Sequence, residues 1–389
     1  MDTLIPTYAR KDISFVKGHG AWLWDVNNEK YLDALSGIAV CGLGHAHSGL
    51  ADTIARQAAS LLHTSNLYRI PQQEQLGDKL CAITGMDKVF FANSGAEANE
   101  AAIKLARLHG HANDINAPAI IVFNNSFHGR TMATLSATGN AASQQGYDPL
   151  LPGFIHAPYD DLAAVQQLCQ QHANISAIFA EPVQGEGGIR VPSPNFIPAL
   201  RELCDQHNLL LMLDEVQSGN ARTGQWFAFQ HSTISPDVLT TAKGLGNGMP
   251  IGACLVKNKA RDLFAPGSHG STFGGNPLAC AVALEVINRI EQDAILAHVQ
   301  QLGEYLLAQL KHALCGHSLV KEVRGLGLML GIELTQPCPQ LVDLALAKKL
   351  LLNVTAGSVI RLLPPLIINQ EQADQIVETV CACINELGH

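Results

Sequence analysis

Short apolar runs alternate with stretches whose apolar positions recur at helical spacing through the middle of the chain. The runs Val89–Phe91, Ala119–Phe123, Ile178–Ala180, Leu209–Leu213, Val238–Thr241 and Ile251–Val256 carry little polar alternation, which predicts strands buried on both faces. Strands separated by helical segments predict a parallel α/β sheet with helices packed on it. Between the first two runs, Ala96–Leu108 places Ala98, Ala101, Ala102 and Leu105 on one face. That predicts a helix whose small face packs closely on the sheet, with Glu100 and Lys104 paired one turn apart and an end near Gly110.

The two ends read differently. Trp22–Trp24 and Lys30–Leu32 carry paired strand signals, long helical patterns begin beyond about residue 280, and Gly325–Glu333 reads as one strand run. At 389 residues the chain exceeds what a single core usually holds. We expect residues 1–50 and 276–389 to build a smaller α+β domain together, and residues 51–275 to form the large domain.

Composition narrows the function classes. Hydrophobic residues make up 47% and charged residues 15%, which suits a compact globule and argues against disorder. A formal net charge of -9 gives no electrostatic reason for nucleic acid or an anionic membrane as partner. The segment Met1–Arg10 lacks the apolar core of a signal peptide, and no run of about 18 apolar residues occurs, so a cytoplasmic location is expected. The cysteines are scattered without C-x-x-C spacing and read as free thiols. The pairs His45/His47 and His109/His111 lack a third ligand, so no metal is expected.

Three segments carry chemistry. In Phe90–Glu100 a strand runs through Asn93-Ser94-Gly95-Ala96 into a helix start, where unpartnered amides and the positive dipole end favour an anion. Ser94 can cap that helix or bind phosphate, and Gly95 and Ala96 let an anion approach the backbone. Leu211–Gln217 is an apolar strand delivering Asp214 at its carboxyl end, where open α/β sheets bind ligands. A buried acid there requires a cationic partner: a structural Arg or Lys, or the ring nitrogen of a bound group, which a carboxylate keeps protonated. Lys243 follows a strand and sits between Ala242 and Gly244. It is either a solvated surface charge or an amine whose pKa burial lowers enough for Schiff-base chemistry.

Taken with Ser126–Thr131, Glu181–Gly188, Asp214–Gln217 and Gly270–Pro277, these segments resemble the class III, ornithine-type pyridoxal-phosphate aminotransferases over almost the whole chain. The resemblance implies a fold type I pyridoxal-5'-phosphate transferase, with a mostly parallel sheet flanked by helices, and a homodimer with shared active sites. It implies Lys243 as the cofactor's tether and proton carrier, and Asp214 as partner of the pyridine nitrogen. Ser94, Gly95, Ala96, Phe127, Glu215, Val216 and Gln217 are implied at the cofactor, with Phe127 stacked on the ring and Gln217 on the phenolic oxygen. Thr272 is implied at the phosphate of the neighbouring subunit's cofactor. Within the family, the Ser126–Thr131 and Ile360–Pro365 blocks and the compact length are most like the members that use N2-acetyl-L-ornithine. That implies Arg130 and Ser271 at the donor, Arg361 at the α-carboxylate of L-glutamate or 2-oxoglutarate, and Glu186 neutralising Arg361 when the other substrate is bound.

Each single residue has a plainer reading: Phe127 as core, Thr272 as a turn, Arg130 and Arg361 as ion-pair partners, Glu186 as a loop acid. Only the ensemble outweighs these readings. Ornithine, succinylornithine and succinyl-diaminopimelate stay open as donors. A nucleotide-binding α/β protein is opposed by Gly325–Gly331, one residue too long for G-x-G-x-x-G, and by the lack of a G-x-x-x-x-G-K-[ST] motif. One departure from the family is Asn220-Ala221-Arg222-Thr223-Gly224, with Ala221 where Gly is common.

Overall fold

The computed structural model describes residues 3–388. Seven strands form the central sheet in the order Lys88–Ala92, Gly252–Val256, Val238–Thr241, Leu210–Asp214, Ile175–Ala180, Ala119–Phe123 and Phe154–Ala157. Successive residues of each strand feed opposite cores. Ile120, Val122, Leu210 and Met212 pack beneath Ala98, Ala101, Ala102 and Leu105, while Ile121, Phe123, Leu211 and Leu213 pack beneath Phe196, Leu200 and Leu203. Burial on both faces is why these strands read as continuous apolar runs.

The sheet is mostly parallel, as the family resemblance implied, and differs from the sequence pattern at two strands. Gly252–Val256 runs antiparallel to both of its neighbours, so the sheet is mostly rather than wholly parallel. The link from Thr241 to Gly252 is too short for a crossover helix, so the chain turns straight back. Phe154–Ala157, half-exposed at the edge, carries too weak a pattern to be read from sequence.

The helix after the first sheet strand spans Gly95–Ala112, and Gly110 lies inside it. A Cβ at Gly110 would sit 2.5 Å from the Pro118 ring, so close packing rather than helix ending requires glycine. The Glu100–Lys104 pair is not made. Glu100 accepts from the Thr131 hydroxyl and Thr134 N, and Lys104 Nζ donates to Ser268 O at 2.9 Å. Tertiary partners outcompete a surface pair worth only about 0.2–0.5 kcal/mol.

Trp22–Asp25 and Lys30–Asp33 pair antiparallel, and Leu350–Leu351 adds to Lys30–Asp33 in parallel, so the two chain ends share one sheet. A second sheet holds Val320–Leu326, Met329–Leu334, Val359–Leu362 and Asn353–Thr355, all antiparallel. Gly325–Glu333 is therefore a hairpin, not one strand. Gly327 turns it at φ 56°, and a Cβ there would lie 2.6 Å from the Thr223 backbone. Leu32, Leu43 and Leu50 join Val286, Leu306, Leu330, Ile360 and Ile376 in one core.

Candidate active site

Six of the seven central strands run in one direction, so their carboxyl ends and following loops meet at one edge of the sheet. There a cavity of about 390 Å³ collects Ser94, Gly95, Ala96, Asn99, Phe127, His128, Arg130, Glu181, Asp214, Val216, Gln217 and Lys243.

One wall is a helix start. Ser94 Oγ accepts from Glu97 N at 3.2 Å, so its hydroxyl caps the helix, and the Glu97 carboxylate accepts from Asn93 N at 2.7 Å. The amides of Gly95 and Ala96 lie in the first turn, where no intrahelical acceptor exists, and both residues line the cavity. A Cβ on Gly95 would meet Val216 Cγ1 at 2.7 Å. Glycine is thus needed for packing against Val216, a reason the sequence did not suggest.

Opposite stands Asp214, 4% exposed. Its Oδ2 accepts from Asn99 Nδ2 and from His128 Nδ1, each at 2.8 Å, and its Oδ1 accepts from Val216 N at 3.0 Å. The protein therefore supplies a side-chain partner of its own, which sequence reasoning left between a structural cation and a bound ring. His128 stacks on Phe179 at 4.2 Å, and its buried Nε2 has no partner among the described residues. Asn99 and His128 were missed as site residues because only the strand order brings them to Asp214. Glu181 was missed too, although an acid directly after an apolar strand is the same signal that marked Asp214.

Lys243 opens a short 3₁₀ turn with φ +44°, a left-handed conformation that costs a side-chain-bearing residue of order 1–3 kcal/mol. Asn220 Nδ2 braces the preceding strand end through Thr241 Oγ1 at 2.8 Å and Ala242 O at 3.1 Å. Ala221 beside it is buried at φ +69°. The loop keeps its left-handed shape despite alanine, at about 1–2 kcal/mol. Burial, helped by the Arg361 charge, pulls the Lys243 amine down to about 8 against the acids Glu186, Asp214 and Glu181.

Arg361 is fully buried on the strand Val359–Leu362. Its Nη1 donates to Glu186 Oε1 at 2.6 Å and Gln217 Oε1 at 3.2 Å, and its Nε donates to Asn353 Oδ1 at 3.0 Å. Its Nη2 has no partner among the described residues. Burial alone would raise the Glu186 carboxyl, but Arg361 outweighs it and holds the group below its ordinary value. The Gln217 carbonyl is thus engaged by Arg361. A Cβ on Gly185 would fall 2.3 Å from Gln217 Cδ, so only glycine fits there.

Of the expected residues, Arg361 and Glu186 are not on this cavity's wall but meet its Gln217, and three others lie elsewhere. The Glu215 carboxylate does not line the cavity; it accepts from Ser218 Oγ, Ala228 N and Phe229 N at 2.6–2.8 Å, and burial pushes it up to about 7 against those bonds. Successive strand residues point oppositely, so the neighbour of Asp214 faces away. Ser271 Oγ accepts from Gly274 N at 2.9 Å, and Thr272 is exposed; neither lines this cavity. Arg130 is exposed, with its guanidinium 5.4 Å from the Phe127 ring centre.

The donor set suits a phosphorylated pyridine aldehyde. It offers first-turn amides for a dianion, a buried carboxylate for a ring nitrogen, an amine of lowered pKa for the aldehyde, and an unused buried guanidinium N–H for a carboxylate.

The model of the class-III aminotransferase family matches residues 7–384. The chain is 53% identical over 384 residues to an acetylornithine aminotransferase of Nitrosomonas europaea, covering 99% of this chain and 98% of that one. A structure of the ornithine aminotransferase from Toxoplasma gondii, described with pyridoxal phosphate partly occupying its active site, superposes with a TM-score of 0.95 at 33% identity, over 100% of this chain and 92% of that one. The acetylornithine aminotransferase of Elizabethkingia anophelis gives 0.87 at 35%, over 98% and 96%.

Proposed function

Because this chain belongs to the class III aminotransferases and uses pyridoxal 5'-phosphate, we propose that it carries the δ-amino group of N2-acetyl-L-ornithine to 2-oxoglutarate, giving N-acetyl-L-glutamate 5-semialdehyde and L-glutamate. Identity of 53% to an enzyme named for acetylornithine supports the donor. The observation that carries the reading is Arg361, buried beside Lys243, with one guanidinium nitrogen on Glu186 and the other unpartnered.

Bound pyridoxal phosphate supplies an electron sink that lets a C–H bond beside the amine break as a proton loss. The chain's residues do the rest. The amides of Gly95 and Ala96 hold the phosphate, with Ser94 fixing the turn. Asp214 keeps the pyridine nitrogen protonated, and Phe127 sets the ring plane. Val216 lines the cavity where the ring would sit, and Gln217, on the same wall, would take the phenolic oxygen. Lys243 Nζ would hold the aldehyde and, when free, would carry the proton taken from the substrate carbon. Arg361 binds the α-carboxylate of glutamate or 2-oxoglutarate in two places once Glu186 withdraws. With the donor, whose carboxylate lies far from the reacting δ-carbon, Glu186 keeps Arg361 neutralised and Arg130 takes the carboxylate, with Ser271 contributing from the neighbouring subunit.

The division between arginines is testable. Arg361→Ala is expected to slow the 2-oxoglutarate half-reaction by about 2–5 kcal/mol, or roughly thirtyfold to several thousandfold in kcat/KM. The acetylornithine half should suffer much less. Single-turnover absorbance of each half separates the two, and equal losses would make Arg361 a general structural contact.

A homodimer follows from the same reading. Leu67, Tyr68 and Phe273 are 86%, 69% and 60% exposed, next to Thr272, and Asn66 Nδ2 ties their two segments through Ser271 O and Gly274 O at 3.0 Å. An apolar patch of this kind suits a subunit contact, which would carry Thr272 to the partner's phosphate site. Mixing inactive Lys243→Ala with inactive Thr272→Ala should restore part of the activity, because one mixed site carries both lesions and the other neither. Absent recovery despite proven subunit exchange would count against a shared site. A cytoplasmic location belongs to the same proposal, as does use in amino-acid biosynthesis.

A further inference from the structure

Glu181 has no part in the chemistry described above, yet it lines the same cavity as Lys243 and Asp214 and is 5% exposed. Its Oε2 accepts from Phe127 N at 3.1 Å and its Oε1 from Gly185 N at 3.2 Å. Those amides belong to two separate working parts of the site. Phe127 is the aromatic plate beside the ring site. Gly185 begins the turn closed by Gly188 N and Ile189 N on Gly185 O at 3.2 and 3.3 Å, and that turn carries Glu186 to Arg361. From this geometry we infer that Glu181 is a positioning residue that couples the aromatic plate to the Glu186 gate, one carboxylate oxygen on each.

A carboxylate is the side chain suited to this. Ionised, it is an acceptor at both ends, whereas an amide of the same shape offers one acceptor and one donor. Glu181→Gln must therefore set its NH₂ against the amide of either Phe127 or Gly185, and one segment comes loose. The backbone around Glu181 is itself pinned: Tyr159 Oη donates to Glu181 O at 2.9 Å and to Pro182 O at 3.2 Å. The carboxylate is thus held on a fixed stem while the two segments it grips are loops. Burial and the Asp214 charge push the Glu181 carboxyl up to about 8, against the Gly185 and Phe127 amides that favour the anion. The anion, which accepts at both ends, therefore predominates only above about pH 8, and the grip on the two loops should strengthen as pH rises through that value.

The inference rests on the proposed role of Glu186 and Arg361, but one readout is independent of substrate. Hydrogen exchange of the holoenzyme, followed by mass spectrometry, should show Glu181→Gln raising exchange about tenfold in peptides spanning 124–130 or 183–189, with the strand Leu210–Asp214 unchanged. In single turnovers, a loosened gate should lower half-saturating 2-oxoglutarate several-fold relative to the donor, since Glu186 is no longer pinned at Arg361, whereas a loosened plate should lower both rate constants together. Unchanged exchange at both loops would overturn the inference outright, as would equal rises throughout the sheet. Raised exchange at 183–189 without a shift between substrates would overturn the coupling to the gate and, if Arg361→Ala also failed to separate the halves, the reading of the gate itself. Should Glu181→Gln not fold, Glu181→Asp, one methylene too short to span both amides, carries the same expectations.

Discussion

Lys243→Ala is expected to lower turnover by about four orders of magnitude or more while leaving the protein folded. In the proposed mechanism the amine is both the cofactor's tether and the group that carries the proton, and positioned proton transfer alone contributes roughly 10²- to 10⁴-fold. The structure supplies the reason this lysine can act near neutrality. With its amine at about 8, roughly a tenth is uncharged at pH 7, some three hundred times the fraction of an ordinary lysine. The pKa is lowered by burial, so the neutral form grows as pH rises and is nearly complete above about 9. Competitive acetylation of the apoprotein should titrate Lys243 near pH 8 and the surface lysines higher. Borohydride reduction of the holoenzyme, followed by peptide mapping, should place the cofactor on Lys243. A label on another lysine, or alanine turnover within tenfold of the parent, would remove Lys243 from its role.

The second large effect is expected from Asp214→Asn. Asparagine is nearly isosteric, and the first-turn amides proposed to hold the phosphate are on another element, so cofactor should still bind. Turnover should fall by two to nearly four decades, matching the about 3–5 kcal/mol lost when one member of a buried charge pair is neutralised. Two causes add. A neutral amide no longer favours a protonated ring nitrogen. Its NH₂ also has to face Asn99 Nδ2, His128 Nδ1 or Val216 N, all of which donate to Asp214. Absorbance of the bound cofactor should therefore show a displaced protonation equilibrium in the variant. Parent-like turnover with an unchanged spectrum would defeat the argument.

Side-chain chemistry and element type were legible in the chain. Asp214 and Lys243 each follow an apolar run, and Ser94 precedes a helix with a small-residue face; the cavity joins all three. The run Gly325–Glu333 misled because its apolar content continues through a glycine turn, which periodicity does not resolve. Glu215 misled because it shares a motif with Asp214, while strand alternation sends it to a different set of donors.

By itself, then, the sequence determined which segments become strands buried on both faces, which acid and which lysine stand at strand ends, and which family the chain resembles. These are local matters of burial period, backbone freedom and residue type. Tertiary structure alone decided that Gly252–Val256 turns back antiparallel, that Asn99 and His128 meet on one oxygen of Asp214, and that Glu181 grips two loops at once. Those facts depend on strand order and on contacts between residues distant along the chain. Such contacts are selected by the packing of the whole core, a property that no single window of sequence carries.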